Sequence, residues 1–420
     1  MSKPHKKPSA RYDKRKSPET LEHRPPDAAK AQSERRPEAD TTPSRVVSLE
    51  PLAPIIVRSG RPFDGQAGAD PARFPPPSTV AGCLRTAWAR ATDRDFGLEL
   101  AELPVAGPLL ARPDQSGKLH LLVPKPADAI YLRRDAEIHC VRAEPRDFDE
   151  GTGSDLPDGL TPVRLTEDLK GKPAPGPAWW DWDDLMAYRQ GQPRSLAELT
   201  QRGWSPPPGD RRTHVAIDPT TLTSDPGRLF QTEGLDFEPT NHWLQATAPG
   251  AGLRLLARCG KALPAALVHL GGERRLAALQ PQPESAWPIP DPGWFERIAN
   301  ARGLTLTLLT PAFFGAGYRP GWLGDDGEGA PPLTPGLRLR LVAAAVTRWQ
   351  PHSGWDLAGR RPRPTRKLIG AGATYWLRLI GQPDPDALAA LWLASLCDVE
   401  QDRRDGFGLA LPAPWTPPPA

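Results

Sequence analysis

Arg58, Arg61 and Arg85 bracket Pro75-Pro76-Pro77-Ser78-Thr79, a run that reads as the entry to a helix. A helix start leaves backbone N–H groups without intrahelical acceptors, and guanidinium groups beside it suit an anion such as a phosphate. The prolines hold the approach extended, because each ring fixes φ and restrains the residue before it. Ser78 or Thr79 is then the expected N-cap. From Val80 onward, Cys83, Leu84, Ala87, Trp88 and Ala91 recur on one helical face. On spacing alone the plainer reading, a capped core helix with solvated arginines, has the edge.

Three further segments carry candidate chemistry. Gly406-Phe407-Gly408 follows Arg403-Arg404; glycines let a backbone approach a partner closely, and arginines pair phosphate through two parallel hydrogen bonds. Arg360-Arg361, Arg363, Arg366 and Lys367 form the densest basic run outside the first 45 residues, on a Pro- and Gly-broken loop. Such a loop either tracks a phosphate backbone or is simply solvated. His214 and Arg228 sit on a stretch, about 212–238, that reads as a protruding β-hairpin; it either leans on single-stranded RNA or serves as a structural arm. Its expected turn is Asp225-Pro226-Gly227.

Catalysis has two candidates, and neither holds. The pair in Gly324-Asp325-Asp326-Gly327 has the form of a two-Mg²⁺ phosphoryl-transfer site, but no apolar strands flank it, so an acidic turn is expected. His214 can act as a general base on an RNA 2′-OH, yet no second acid or anchoring lysine accompanies it. The chain contains no phosphate-binding G-x-x-x-x-G-K-[ST], no H-E-x-x-H and no G-x-S-x-G. Cys83, Cys140, Cys259 and Cys397 lie far apart and form no zinc or disulfide pattern, which fits a reducing cytoplasm. No metal and no cofactor is expected.

The elements that must position these residues are bounded by composition. With 420 residues, two domains are the default. The 54 prolines and 38 glycines favour many loops and short elements around modest cores. No stretch approaches the ~20 consecutive apolar residues of a membrane span, and the N-terminus lacks the apolar stretch of a secretory signal. Residues 1–45 carry 12 Lys/Arg against 7 Asp/Glu, leaving 41 basic and 43 acidic residues in the remainder. The body is therefore not a nonspecific nucleic-acid coat. Any RNA contact must be a local patch, and much surface is left for protein neighbours.

Residues 1–44 are polar and are expected to be a disordered tail. Strands are expected from Val46 to Val57, at 119–124 and at 129–142, followed by an irregular insertion at about 143–178. Trp179, Trp180, Trp182, Leu185, Met186 and Tyr188 read as a short packing helix, since Asp181, Asp183 and Asp184 would repel phosphate. In the second half, strands at 264–270, 274–279, 304–309, 337–341, 372–380 and 407–411 alternate with helices starting at Asp291-Pro292 and Asp384-Pro385. That order approximates β-α-β-β-α-β, as in RNA-recognition modules.

One family shares these landmarks in order. They are Leu49-Glu50-Pro51-Leu52, Arg61-Pro62-Phe63-Asp64 and Pro75-Pro76-Pro77-Ser78-Thr79-Val80-Ala81-Gly82. His214-Val215-Ala216-Ile217-Asp218-Pro219, Gly227-Arg228-Leu229-Phe230 and Gly271-Gly272-Glu273-Arg274-Arg275 follow. Leu309-Thr310-Pro311-Ala312, Gly354-Trp355-Asp356, Gly372-Ala373-Thr374-Tyr375-Trp376 and Gly406-Phe407-Gly408 complete the set, which spans most of residues 46–411. The chain thereby resembles the third subunit of the Cmr (type III-B) CRISPR RNA-targeting effector complex, in the RAMP superfamily. The resemblance implies an α+β fold of two ferredoxin-like domains, here 45–240 with the insertion and hairpin, and 241–420. It implies a non-catalytic subunit that holds the 5′ repeat-derived handle of the guide crRNA. Its implied partners are the large polymerase-like subunit and the first backbone RAMP subunit, in cytoplasmic antiviral defence.

By position in the resemblance, Arg58, Arg61 and Phe63 line the handle pocket, while Ser78 and Thr79 offer helix-start donors and Arg85 adds charge. His214 and Arg228 contact RNA from the hairpin; Arg366 and Lys367 are candidates on the charge of their loop, not on the resemblance. Gly406 and Gly408 allow close approach, as in the C-terminal glycine-rich loop of RAMP proteins, although this loop is shorter and less glycine-rich. Two other readings stand beside this one: a RAMP-type endoribonuclease processing repeat RNA through His214, and a protein adaptor without RNA contact.

Overall fold

The computed structural model describes residues 42–57, 71–167, 169–237, 252–356 and 361–418. Two antiparallel sheets dominate them. The first runs, in spatial order, Ala266–His269, Leu276–Pro281, Ser44–Pro51, Arg254–Leu263, Val105–Pro113, Leu119–Pro124 and Trp179–Asp181. Ser44–Pro51 is paired on both edges, with Val47 opposite both Ala257 and Pro281. Its residues Val46 to Leu49 are buried on both faces, the polar Ser48 included, so burial along this strand does not alternate. The second sheet runs Glu328–Gly329, Arg338–Ala345, Thr374–Ile380, Gly303–Leu308 and Ala410–Pro414.

Four core strands of each sheet follow the same spatial rule: fourth, first, third, second in chain order. Each half fills only one of its two crossovers with helix. In the first half the helix Pro77–Ala91 joins the first core strand to the second. In the second half Pro385–Ala390 and Glu400–Arg404 lie between the third and the fourth. Residues 254–281, grouped with the second half on sequence grounds, supply three strands of the first sheet. Their inward residues Leu255 and Ala257 complete the core begun by Val47 and Leu49, a pairing that sequence distance conceals.

A second core joins the halves. It combines Leu304, Leu306, Leu377, Leu388 and Leu411 with Val46, Leu109 and Leu256 from the other face of the first sheet. Residues Asp40–Ala420 accordingly form one compact unit. Inside this unit Arg189, at the end of the helix Trp182–Arg189, donates to both oxygens of Asp128 at 2.6 and 2.8 Å and to Thr374 of the second sheet at 2.9 Å.

The expected irregular insertion is partly regular. Val163–Leu165 and Lys172–Pro173 flank Glu137–Pro145 and Ala129–Arg134 in a four-stranded sheet. Backbone pairing stabilises these short strands despite their poor propensity. The tryptophan cluster packs, as its acidic neighbours required: Trp180 is buried and its indole N–H donates to the Tyr131 hydroxyl at 2.6 Å. Trp179 and Trp180 lie on a strand rather than in the helix, which begins at Trp182.

Asp210–Ile217 and Ser224–Gly234 form the anticipated hairpin as a separate two-stranded sheet. Its turn is built on Asp218, whose carboxylate accepts from the N–H groups of Thr220 and Thr221 at 2.7 and 3.1 Å. Asp225-Pro226-Gly227 falls instead at a register shift in the second strand. Pro226 has no N–H to offer the ladder, so an irregularity there is the natural outcome. Among the described residues no helix is long and apolar enough to cross a membrane.

Candidate nucleic-acid interface

The helix Pro77–Ala91 starts two residues earlier than a Ser78 cap would place it, with Pro76 at the N-cap position and no side-chain cap. Pro77 suits the first helical position because it has no N–H to leave unpaired. Ser78 and Thr79 therefore lie within the first turn, half-buried, and neither is the cap. Arg58, Arg61 and Phe63 lie outside the described residues.

Arg85 is occupied within the protein. Its guanidinium donates to Asp405 at 2.5 Å, to the Arg404 carbonyl at 3.1 Å and to the Leu103 carbonyl at 3.0 Å, with 11% of the side chain exposed. The helix Pro77–Ala91 is thus bonded to the segment that closes the last crossover. Beside it, Gly406 has φ +88° and a Cβ there would lie 2.5 Å from the Gly107 carbonyl oxygen. Gly408, at φ +74°, would meet the Cys397 sulfur at 2.7 Å. Phe407 is buried between them. The close approach expected of this loop is made to the chain's own backbone and side chains, which is why glycine is needed there.

A cationic surface lies next to that joint. Gln350–His352 and Arg366–Leu368 pair as a short ribbon, with His352 opposite Arg366. Arg366 donates to both oxygens of Asp402 at 2.7 Å and lies 3.9 Å over the Phe313 ring, yet 42% of its side chain is exposed. A guanidinium has five N–H donors, so this pairing leaves others for a phosphate oxygen. Arg363 lies 3.9 Å from Asp405 and is 53% exposed. His352 packs against Phe313 and Phe407 at 5.6 and 5.8 Å between centroids. Burial first, then Arg73, Arg366 and Arg363, push its pKa down to about 4. The imidazole is neutral near pH 7, and the positive charge here belongs to arginines.

Arg73 had no place in the sequence reading. It precedes the helix entry and joins the basic loop only through the fold; its one advance signal was position, just before the proline run. The hairpin base reaches the same segment, since Glu233 accepts from the Ala72 N–H at 3.2 Å. Higher on the hairpin, His214 bonds Thr232 at 2.8 Å and stacks on Phe230 at 5.1 Å, an arrangement that stiffens the arm. The Arg228 side chain falls outside the described residues. Asp326 accepts from the Glu328 N–H at 2.9 Å and closes a turn, while Asp325 points to solvent near Arg319.

The lowered His352 pKa carries a sign. Its folded value lies below the ordinary 6.5, so the folded chain binds fewer protons there than the unfolded chain. This contribution to stability is full above about pH 6.5 and is lost as pH falls through about 4. Melting curves between pH 7 and pH 4 should show the wild type losing more than His352→Phe, which keeps the ring packing. Parallel losses would refute the assignment.

The chain is similar to chains in two solved structures. One is described as the cryo-EM structure of the type III-B Cmr-beta bound to cognate target RNA. The other is described as that assembly with target RNA and AMPPnP, state 1. Identity is 14% in both, the TM-scores are 0.40 and 0.41, and 79% of this chain and 86% of each other chain are covered. No curated protein matches. Residues 47–415 match the family described as CRISPR-associated protein (Cas_Cmr3). With most of its length inside that match, the chain belongs to the Cas_Cmr3 family, the third subunit of the type III-B Cmr effector.

Proposed function

We propose that this subunit holds the 5′ repeat-derived handle of the crRNA on the surface carrying Arg73, Arg363 and Arg366. In this reading it also braces the large polymerase-like subunit and the first backbone subunit, and it breaks no bond itself. The observation that carries the reading is geometric: Arg366 lies opposite His352 and over the Phe313 ring, and it and Arg363 stay about half exposed although Asp402 and Asp405 lie beside them. Arg366 over the Phe313 ring, with Arg363 and Arg73 near the same imidazole, supplies a local phosphate-binding patch that a near-neutral body otherwise lacks. Arg58, Arg61 and Phe63 extend the patch, the last by stacking on a base, and Ser78 and Thr79 add donors at the helix start. Arg228 and Lys367 contribute further charge. Arg85 acts by holding the helix in place, and Gly406 and Gly408 act by allowing the joint to close. Both halves are ferredoxin-like variants that each lack one crossover helix, a reading supported by their shared strand order.

Arg363→Ala combined with Arg366→Ala should weaken handle-RNA binding at least tenfold at physiological salt. The slope of log affinity against log salt should also fall by about two, one for each lost phosphate contact. Equal affinity and slope in variant and wild type would refute the assignment. Labelled repeat RNA should stay intact with the purified chain. Cleavage that His214→Ala abolishes would replace this reading with a processing endoribonuclease.

A further inference from the structure

The ribbon formed by Gln350–His352 and Arg366–Leu368 has two unlike faces. Side chains alternate along a strand, so His352 and Arg366, directly opposite each other, share one face. Phe313, Phe407 and Asp402 hold that face to the body. Pro351 and Lys367, the neighbouring opposed pair, belong to the other. Trp349 is the next residue on that side, 45% exposed, with the Lys367 ammonium over one face of its ring, 5.4 Å from the centroid, so that a base would take the other face.

We infer that Trp349 is a nucleobase-stacking platform, with Lys367 beside it for the adjoining phosphate; this rests on the RNA-holding reading above. Two observations favour a single-stranded nucleic acid over a protein partner. Residues 348–367 hold six cationic residues and a single acidic one, Asp356. That balance complements a polyanion. An indole beside a lysine also offers the two contacts that a single-stranded nucleotide needs, a ring for the base and a charge for the phosphate. Every base has a π-face, so such a platform grips without reading sequence. Anchoring of the opposite face by Phe313 and Asp402 keeps the platform rigid.

The test uses the full chain and a labelled crRNA carrying the repeat-derived 5′ end. Trp349→Ala should lower affinity about tenfold while leaving the salt slope unchanged, because no phosphate contact is lost. Trp349→Phe should keep most of the affinity. Lys367→Ala should instead reduce the slope by about one. In a scan of abasic positions through the handle, one position should weaken the wild type but not Trp349→Ala. Because the side chain is on the surface, the melting temperature should not move. Wild-type affinity in Trp349→Ala overturns the inference. So does a defect confined to docking of the large or backbone subunit with RNA binding intact, which would make Trp349 a protein contact. Failure of the wild type to bind the crRNA at all would sink the RNA-holding reading itself, and this inference with it.

Discussion

Asp128→Ala is expected to lower the unfolding free energy by about 3–5 kcal/mol, as removal of one partner from a buried ion pair does. Asp128 and Arg189 are 1% and 4% exposed at the side chain. Asp128 accepts both guanidinium bonds and a third from the Thr374 hydroxyl at 3.0 Å. Burial alone would raise the carboxyl pKa; the guanidinium, with Thr374, overcomes it and holds the group below its ordinary value. The pair therefore contributes stability above the ordinary carboxylate range and loses it as pH falls through the folded value. Truncating the acid strands a buried cation against Thr374 of the second sheet. Urea unfolding followed by circular dichroism reads the effect. The double change Asp128→Leu with Arg189→Met should recover most of the loss, because an apolar pair leaves no charge uncompensated. If Asp128→Ala stays within about 1 kcal/mol of wild type, the pair does not fasten the halves.

Local signals in the sequence were readable where the physics is local. Leu339 and Leu341 alternate with Arg338 and Arg340, and the strand is there with the leucines inward. The helix after Pro77 buries Val80, Cys83, Leu84 and Ala87 of the face that periodicity picked out, while Trp88 is half-buried and Ala91 exposed at the helix end. The hairpin also stands where it was expected, although its Val215 and Ile217 remain exposed, so a strand there does not mean burial in a core. What stayed hidden is non-local. Arg254–Leu263 pairs with Ser44–Pro51 across two hundred residues of chain, and no pattern within either strand names its partner. Arginine roles were hidden for the same reason. Arg85 and Arg366 look alike as sequence, but Asp405 and the Leu103 carbonyl enclose one, while Asp402 leaves the other half exposed. Charge is visible in a sequence; the acceptor that uses it is not.

Gly406→Ala should destabilise the chain by about 3 kcal/mol or more, from two separable causes. The first is conformational: at φ +88° a Cβ costs roughly 1–2 kcal/mol. The second is contact. The new methyl would lie 2.5 Å from the Gly107 carbonyl oxygen and 2.9 Å from that of Val105. Both are backbone atoms of the strand Val105–Pro113, which pairs with Arg254–Leu263, and backbone cannot yield as a flexible side chain would. Gly381 supplies the control, since it has φ +74° with nothing within 4 Å of its Cβ position. Gly381→Ala should thus show the conformational cost alone, and equal losses in the two variants would mean that the approach to Gly107 is not a constraint. Because the loop also carries Asp405, a shifted Gly406 draws the acceptor away from Arg85 and loosens the helix whose entry lies beside Arg73. RNA affinity in Gly406→Ala should then fall only as far as the folded fraction falls, and conditions that restore folding should restore binding. A persistent binding defect in fully folded Gly406→Ala would instead put the RNA backbone at the loop, because only a lost contact with ligand would survive once the protein's own packing had been regained.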